Sequence, residues 1–275
     1  MNEPVNLENI TLRVVEVAKN VGTYLEKEIG LLKTESIEIK GLHNFVTYVD
    51  MTSEQQIIAA LKEILPEAGF IAEETGETGR GGRYNWVIDP LDGTTNYIHG
   101  IPLYSISIAL LDGEEVISGV VFEVNRKECF YAWKGGPAHL NGNVIKVSAA
   151  ARLNDCLMAT GFPYYDYSKI DPYLEVFRYL MKNSHGLRRL GSAAVDLAYV
   201  ACGRFEGFYE YGLNSWDVAA GLLIVKQAGG DVSDFKGGDD YLFGREIVAT
   251  NKLIHSEFLG VIADCFREFY SKTDH

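Results

Sequence analysis

The sequence predicts an α/β (α+β) fold, and three observations lead to this class. Apolar residues at helical spacing mark a helix near the start, alternating β-branched runs over residues 105–147 indicate antiparallel strands, and helical and extended patterns alternate after residue 155. The chain of 275 residues is 47% hydrophobic and 23% charged, which is ordinary for a globular protein and sufficient for a large core.

The pattern changes near residue 150, and this change predicts two halves. Residues 1-150 form an α+β half that carries most candidate ligand residues, and residues 151-275 form an α/β half that carries Asp217 and further candidate binding residues. No low-complexity linker separates them, so we expect the halves to pack tightly as one unit.

Each element is assigned from periodicity, turn residues and capping residues. In the first half we predict a helix at 7–29, a helix from a cap at Asp50 or Thr52 to residue 65, and strands at 37–40, 45–50, 69–74, 86–90, 105–110, 116–124, 128–133 and 144–147. In the second half we predict strands at 156–160, 187–190, 205–210, 231–234 and 247–250, and helices at 169–182, 192–202, 214–228 and 255–270.

Two neighbouring acids, Glu73 and Glu74, close the predicted strand 69–74. Like charges side by side repel each other unless solvent or a cation intervenes, so we expect one of them to be bound. The polar, Gly-rich stretch 75–83 then reads as a loop that leads to the next strand.

The segment 86–97 (WVIDPLDGTTNY) is the part of the chain around which the candidate chemistry is arranged. Its apolar start indicates a buried strand, which we expect to end at Pro90 because proline cannot donate a hydrogen bond in a central ladder. Asp89 and Asp92 stand on either side of this break. Carboxylate oxygens suit Mg²⁺, so the two acids are candidate metal ligands.

The residues that follow suit a phosphate. Gly93 lets the backbone approach a ligand, and Thr94 and Thr95 can cap a helix whose first N–H groups suit an anion. The segment therefore predicts a metal–phosphate site. A plain acidic turn before a helix cap fits the same residues, and the turn alone does not decide between the two.

Two helix starts in the second half carry further candidates. Gly191, Ser192 and Ala193 open one helix, where the N–H groups either hold a substrate oxygen or are simply capped. Asp217 lies in the first turn of the next helix, where the helix dipole by itself favours an acid. Together with the acids described above, it would complete a carboxylate cage.

Charge and cysteine usage exclude several classes of protein. The net charge of −13 argues against broad binding to nucleic acid or to an anionic membrane, and the basic side chains, Arg188-Arg189 and scattered lysines, form no stripe. The four cysteines have no CxxC pair, which predicts buried free thiols. The start of the chain does not resemble a signal peptide and no apolar run would span a bilayer, so we expect a soluble cytoplasmic protein.

Three segments resemble the signature regions of the inositol monophosphatase family, which belongs to the lithium-sensitive sugar phosphatases. They are WVIDPLDGTTNY at 86–97, IAEET at 71–75 and NSWDVAAG at 214–221, in the family's order and spacing. The first motif is long and specific. Weaker likeness at 40–50 and 235–238 extends the resemblance over nearly the whole chain.

The resemblance implies a layered αβαβα sandwich of the sugar-phosphatase type, usually a homodimer, with lithium-sensitive and Mg²⁺-dependent activity. It also implies two to three Mg²⁺ ions. The first would lie on Glu73, Asp89 and the carbonyl oxygen of Leu91. The second would lie on Asp89, Asp92 and Asp217, and a weaker third would lie near Glu73.

The same resemblance implies roles in catalysis and substrate binding. Glu73 and Thr94 would activate the attacking water, with support from Asp50. The phosphate would rest on the N–H groups of Gly93 and Thr94. The hydroxyl groups of the polyol would meet Asp92, Gly191, Ser192, Ala193, Glu210 and Asp217.

The implied reaction is hydrolysis of inositol 1-phosphate to inositol and phosphate by a metal-activated water, without a covalent phosphoenzyme. Alternatives within the superfamily are fructose-1,6-bisphosphatase, 3′-phosphoadenosine nucleotidase and histidinol-phosphate phosphatase. Thr95-Asn96 after the Asp-Gly-Thr motif, and Glu210, favour the inositol branch. An alternative of another class is a regulatory binding protein on a phosphatase scaffold, but the complete set of cage acids favours an active enzyme.

Overall fold

The computed structural model describes residues 5–29, 31, 37–41, 44–79 and 82–273. Its helices are α1 (Leu7–Glu28), α2 (Tyr48–Ile64), α3 (Thr94–Ile98), α4 (Ile170–Asn183), α5 (Ala193–Ala201), α6 (Ser215–Gln227) and α7 (His255–Thr273). Its strands are β1 (Ile37–Gly41), β2 (Asn44–Thr47), β3 (Gly69–Ala72), β4 (Gly76–Thr78), β5 (Tyr84–Asp92), β6 (Ser105–Asp112), β7 (Glu115–Glu123), β8 (Glu128–Trp133), β9 (His139–Leu140), β10 (Asn143–Val144), β11 (Leu157–Thr160), β12 (Gly186–Arg188), β13 (Gly207–Tyr211), β14 (Asp231–Ser233) and β15 (Glu246–Thr250).

Two large sheets organise the fold. The first has the strand order β10-β9-β8-β7-β6-β5-β3-β4 and is antiparallel except for the parallel pair of β3 and β5. The second has the order β12-β11-β13-β15-β14, in which β11 runs parallel to both of its neighbours and the other pairs are antiparallel. A separate hairpin joins β1 and β2.

Helices and sheets alternate in five layers, which confirms the predicted αβαβα sandwich. The first buried cluster joins α1 and α2 to one face of the larger sheet. The second joins α5 and α6 to the opposite face and to the inner face of the smaller sheet. The third joins α4 and α7 to the outer face of the smaller sheet.

The residue pattern of β5 shows how the sequence produces these layers. Successive side chains of a strand point to opposite faces, so Trp86 and Ile88 pack against the layer of α1 and α2, while Val87 packs against the layer of α5 and α6. Both faces of this strand are covered by helices. This explains why the sequence of β5 is a continuous run of apolar residues and does not alternate between apolar and polar residues.

The predicted end of this strand at Pro90 is wrong. β5 continues to Asp92, because its pairing with β6 shifts register between Asp89 and Asp92. Asp89 lies opposite Ser107 and Asp92 lies opposite Ser105, so one extra residue is accommodated as a bulge. The bulge tolerates proline, since the extra residue needs no ladder hydrogen bond.

The predicted caps of two helices are also wrong. α2 begins at Tyr48, not after Asp50 or Thr52, and its cap is Thr47, whose hydroxyl oxygen accepts a hydrogen bond from the N–H of Val49. Asp50 is the third residue of this helix and completes a capping box. For α3, the cap is Gly93 in the left-handed region (φ +98°), and no threonine side chain caps the helix.

Three smaller differences concern segments with weak sequence patterns. The predicted loop 75–83 contains the short strand β4, and the segment between the predicted strands 128–133 and 144–147 contains β9. The predicted strand 144–147 is reduced to β10 at 143–144. Strands of two or three residues have too little periodicity to be recognised. Gly30, which follows the predicted helix 7–29 and would end it, lies outside the described residues, as do residues 80–81 of the predicted loop 75–83.

Candidate active site

Three elements bring acidic residues to one edge of the larger sheet. β3 and β5 run parallel, so their carboxyl ends meet at the same edge. Glu73 directly follows β3, and Asp89 and Asp92 lie in the last four residues of β5. Asp217 is the third residue of α6 and is oriented by a hydrogen bond of 2.6 Å from the N–H of Asn214.

The aspartates form a cluster suited to a cation. Asp89, Asp92 and Asp217 each offer a carboxylate oxygen, and these oxygens lie within 4.8 Å of one another. Glu73 and Asp89 are in hydrogen-bonding contact. Like charges at such distances repel strongly, and carboxylate oxygens are the ligands that hard divalent cations prefer. The residues present therefore fit a bound metal ion.

The electrostatics of the cluster lead to the same conclusion. Burial, together with the charge of neighbouring acids, raises the pKa of Glu73 and of Asp89 well above the usual range of a carboxyl group. Burial also raises the pKa of Asp217 to about 7 and that of Asp92 to about 6. Without a cation, the folded protein favours protonation of these groups, whereas a bound cation would favour their ionised forms.

Asp92 connects the cluster to the second half of the chain. Its Oδ2 accepts a hydrogen bond of 2.6 Å from the hydroxyl of Ser192 and one of 2.8 Å from the N–H of Ala194. Both donors lie at the start of α5. Asn96 adds a second connection, since its side-chain N–H group donates to the carbonyl of Leu190 at 2.9 Å.

Thr94 lies beside the cluster, and its hydroxyl group is hydrogen-bonded to residues outside the cluster. Its Oγ1 is 3.2 Å from Oδ1 of Asp50 and 3.0 Å from the carbonyl oxygen of Leu91. Asp50 is almost fully buried and accepts hydrogen bonds from the N–H and the hydroxyl of Thr47. Asp50 therefore contacts Thr94 from the protein side and does not line the pocket itself.

The turn that carries Glu73 is fixed by a buried acid that the sequence analysis did not identify. Glu54 on α2 accepts hydrogen bonds from the N–H groups of Glu74 (2.8 Å) and Thr75 (2.9 Å). Its side chain is fully buried. Bound in this way, Glu54 sets the direction of the chain immediately after Glu73.

A pocket opens over the acids, and its far wall comes from the second half of the chain. Glu210 on β13 and Asp196 on α5 line this wall, and Gly161 after β11 lies against Glu210. At the mouth, Arg189 donates a hydrogen bond of 3.0 Å to the hydroxyl of Tyr164. Its guanidinium group also lies 5.4 Å from the ring centre of Phe162.

The structure brings eleven of the twelve predicted site residues to this pocket, and Asp50 is the exception. The predicted site residues that line the pocket are Glu73, Asp89, Leu91, Asp92, Gly93, Thr94, Gly191, Ser192, Ala193, Glu210 and Asp217. Sequence reasoning missed Asp196, although its position four residues after Ser192 places both on one face of a helix. It considered Arg189 only as a possible nucleic-acid contact.

No cysteine is activated as a nucleophile. All four cysteines are free, which confirms the predicted thiols, although only Cys129 and Cys156 are buried and the other two are half-buried. Burial raises the pKa of Cys129 and Cys156 to about 12, and it raises the pKa of Cys202 and Cys265 as well. Raised thiol pKa values leave little thiolate at neutral pH.

No helix of the described residues is long and apolar enough to cross a membrane.

Comparison with known proteins gives consistent matches over nearly the full length. The sequence model of the inositol monophosphatase family matches residues 6–267. An inositol-1-monophosphatase of Mesorhizobium japonicum is 38% identical over 250 residues, which are 90% of this chain and 94% of the relative. The Nus factor SuhB of Pseudomonas aeruginosa is 44% identical over 248 residues, which are 88% of this chain and 90% of the relative.

A solved structure shows the same fold. The crystal structure of the extragenic suppressor protein SuhB from Bartonella henselae superposes with a TM-score of 0.88 at 37% identity. The match covers 92% of this chain and 98% of the other.

Proposed function

The chain belongs to the inositol monophosphatase family, and we propose that it is a Mg²⁺-dependent phosphomonoesterase that hydrolyses inositol 1-phosphate to inositol and phosphate. The observation that carries this proposal is the cluster of Asp89, Asp92 and Asp217, whose oxygens lie within 4.8 Å of one another beside a pocket with a polar far wall. The relative named inositol-1-monophosphatase supports the choice of substrate.

The acids of the cluster hold the metal in this proposal. Asp89, Asp92 and Asp217 would hold one cation, and Glu73, Asp89 and the carbonyl oxygen of Leu91 would hold another. When bound, Mg²⁺ neutralises the charge of the phosphate and lowers the pKa of a water molecule. The raised pKa values of these carboxyl groups support this assignment, because only a cation makes four adjacent ionised acids favourable.

In this proposal Glu73 and Thr94 would orient the attacking water, and the carboxylate of Glu73 would receive its proton. Support comes from the fixed hydroxyl of Thr94, which lies between Asp50 and the carbonyl of Leu91. Because Asp50 does not line the pocket, we assign it the role of positioning Thr94. It is not required to touch the substrate.

The backbone after Asp92 binds the phosphate. The first N–H groups of a helix have no partner within the helix, and those of Gly93 and Thr94 lie at the start of α3. The left-handed backbone of Gly93 supports this role, since a side chain there would be strained and would lie 3.2 Å from the carbonyl oxygen of Gly191. The polyol then extends toward Ser192, Ala193 and Glu210.

The experiment that tests the proposal is phosphate release from inositol 1-phosphate with Mg²⁺, with and without lithium. Fructose 1,6-bisphosphate and 3′-phosphoadenosine 5′-phosphate are measured in parallel. Asp89→Asn is the test variant, and Asp112→Asn is the matched control because Asp112 lies at the surface in an ion pair with Arg83. Rapid, lithium-inhibited turnover of inositol 1-phosphate that is lost in Asp89→Asn alone supports the proposal; preference for another phosphate would replace the substrate.

A regulatory role is the second candidate function. The Pseudomonas aeruginosa relative is named Nus factor SuhB, and its sequence identity of 44% is higher than the 38% of the relative named inositol-1-monophosphatase. An experiment in the host organism distinguishes the regulatory role from the phosphatase activity. A strain in which the gene is deleted is compared with a strain in which the gene encodes the Asp89→Asn variant. If the deletion changes growth and the variant does not, the function in the cell does not depend on catalysis.

We also propose that the protein is a cytoplasmic homodimer. Four free cysteines support a reducing compartment. Exposed aromatic side chains near the mouth of the pocket, Phe162, Tyr164, Tyr165 and Tyr167, support a protein contact there. Analytical ultracentrifugation tests the oligomeric state, and a monomer at micromolar concentration would refute the dimer.

A further inference from the structure

Asp196 is a buried acid for which the proposed mechanism has no use. It lies on α5, is only 1% exposed and lines the pocket. Its Oδ1 has no hydrogen-bond partner among the described residues. Buried polar atoms are nearly always paired in folded proteins, because an unpaired one loses the hydrogen bonds that water would make. An unpaired carboxyl oxygen at a pocket wall therefore suggests a partner that arrives from outside.

Glu210 lies in the same wall and is held close to the backbone. It is 7% exposed and is an electrostatic neighbour of Asp196. A Cβ atom at Gly161 would lie 2.0 Å from Oε2 of Glu210, so the carboxyl group rests directly on the bare backbone of this glycine. The two acids thus form one acidic wall, supplied by β13 and α5.

The acidic wall is separate from the metal cluster. Among the residues that the structure describes, the one group that brings three ligand atoms together is Asp89, Asp92 and Asp217, and neither acid of the wall belongs to it. Two carboxyl groups alone do not provide the ligand set of a tightly bound divalent cation. The wall is therefore better suited to an organic ligand than to a further metal ion.

The chemistry of the wall selects the kind of ligand. A carboxyl group, whether ionised or protonated, has an oxygen that accepts hydrogen bonds, so a ligand that donates them fits this wall. Burial raises the pKa of Asp196 and of Glu210 well above the usual range of a carboxyl group, and the positive charge of Arg189 acts on both acids, so the wall lacks the strong negative charge that would favour an ammonium group. Neutral hydroxyl groups need no such charge, and a cyclic polyol presents several of them in fixed directions.

We propose that Asp196, together with Glu210, is a specificity-determining residue that accepts hydrogen bonds from hydroxyl groups of a cyclic polyol phosphate, on the side of the ring away from the phosphate. This inference rests on the proposed phosphatase function and adds a residue to its substrate recognition. It predicts that the enzyme distinguishes a hydroxylated ring from a bare ring of equal size.

The test compares inositol 1-phosphate with cyclohexyl phosphate, which keeps the ring and lacks the other hydroxyl groups. We expect Asp196→Ala to lower the ratio of the two kcat/KM values by about tenfold to a hundredfold, because a buried hydrogen bond is lost and a hydroxyl group is left unpaired for one substrate alone. The change should appear mainly in KM. Val200→Ala is the control, because Val200 is buried on the same helix and does not line the pocket.

Each outcome decides the inference. An unchanged ratio in Asp196→Ala, or an equal change in Val200→Ala, would overturn it. If Asp196→Ala does not fold, Asp196→Leu replaces it, because leucine is close to aspartate in size and has no atom that accepts a hydrogen bond, and an unchanged ratio in that variant has the same meaning. If the wild type releases no phosphate from either substrate, the proposed function fails. The role of Asp196 is then decided by calorimetry, which measures the dissociation constants of inositol 1-phosphate and cyclohexyl phosphate for the wild type and for Asp196→Ala. An unchanged ratio of the two constants would overturn the role.

Discussion

The hydroxyl of Ser192 donates a hydrogen bond of 2.6 Å to Oδ2 of Asp92, which lies 100 residues earlier in the chain. The N–H of Ala194 donates to the same oxygen, so the start of α5 fixes one side of this carboxyl group. A carboxylate can accept about four hydrogen bonds in total, which leaves capacity for a cation. The contact thus joins the end of β5 to the start of α5 at the aspartate cluster and sets the direction of Asp92.

Ser192→Ala tests whether this contact matters for catalysis. We expect kcat/KM to fall by about tenfold to a hundredfold, because a buried hydrogen bond to a charged group is worth roughly 1.5–3 kcal/mol. The matched control is Ser118→Ala, since Ser118 is equally buried and its hydroxyl lies 2.7 Å from that of Thr11, outside the pocket. Equal losses of activity in the two variants would mean that the effect comes from stability alone.

Asp89→Asn should separate activity from stability. We expect turnover to fall by at least about a thousandfold, since several kcal/mol of metal-assisted charge stabilisation are lost. The melting temperature in EDTA should stay level or rise, because burying Asp89 beside Glu73 and Asp217 without a cation raises its pKa and so costs stability, and asparagine does not titrate. Calorimetric scans with EDTA and with Mg²⁺ measure this. A variant that unfolds more easily in EDTA would contradict the electrostatic account.

Glu54→Gln should weaken metal binding although Glu54 is not proposed as a ligand. Its carboxylate holds the turn after Glu73 through the N–H groups of Glu74 and Thr75. Glutamine retains one acceptor oxygen, so we expect a loss of stability of about 1–3 kcal/mol and a metal affinity lower by about tenfold to a hundredfold. Isothermal titration with Mg²⁺ or Mn²⁺ measures the affinity.

The control for Glu54→Gln is Glu123→Gln. Glu123 is also fully buried and accepts hydrogen bonds from the N–H groups of Asn125 and Arg126, but it does not line the pocket. We expect a similar loss of stability with unchanged metal affinity. Reduced affinity in both variants would show that the effect does not pass through the turn at Glu73.

The stabilisation by metal should grow as the pH rises. Burial raises the pKa of Asp217 from 3.8 to about 7, so in the absence of metal the folded state binds more protons than the unfolded state between these values. Stability without metal therefore falls as the pH rises through this range. A cation favours the ionised carboxyl groups and opposes this fall.

We accordingly expect the rise in melting temperature on adding Mg²⁺ to be larger at about pH 7.5 than at about pH 5. Thermal unfolding in EDTA and in Mg²⁺ across this range provides the measurement. In Asp217→Asn the dependence on pH should become weaker, since one of the titrating groups is removed. The same metal-induced rise at both pH values would count against the role of these carboxyl groups.

Gly161→Ala should impair recognition of the polyol by moving Glu210. A Cβ atom at this position would lie 2.0–2.1 Å from the carboxyl atoms of Glu210, so the side chain must move away. We expect KM for inositol 1-phosphate to rise by about tenfold with a smaller effect on kcat, as for the loss of one binding contact. Gly207→Ala is the control, because its Cβ would meet the flexible side chain of Met158 outside the pocket. An unchanged KM in Gly161→Ala would refute this position for Glu210.

Local sequence patterns were sufficient for most of the fold. The spacing of Val14, Ala18 and Leu25 predicts α1, and the structure buries these side chains against the sheet. The alternation from 105 to 133 predicts β6, β7 and β8, which the structure contains with small changes at their ends. These patterns are informative because the periods of helix and strand are properties of the backbone and do not depend on distant residues.

The acids of the site were also visible in the sequence, because they lie in short continuous motifs. Glu73 follows one strand directly, and Asp89 and Asp92 end another, so the parallel pairing of β3 and β5 is enough to bring them together. The resemblance to a known family then suggested the role of each residue. It could not distinguish residues that line the pocket from residues behind it, such as Asp50.

Tertiary structure decided the features that depend on partners far apart in the chain. The bulge that carries β5 past Pro90 arises from pairing with β6, and the orientation of Asp92 arises from Ser192. Glu54 and Asp196 become significant through burial, one with its hydrogen bonds satisfied and the other with an oxygen unpaired. The sequence determined which segments form helices and strands and which acids could bind a metal. Hydrogen bonds and burial between distant segments determined how those acids are held, since neither quantity is a property of a local stretch of chain.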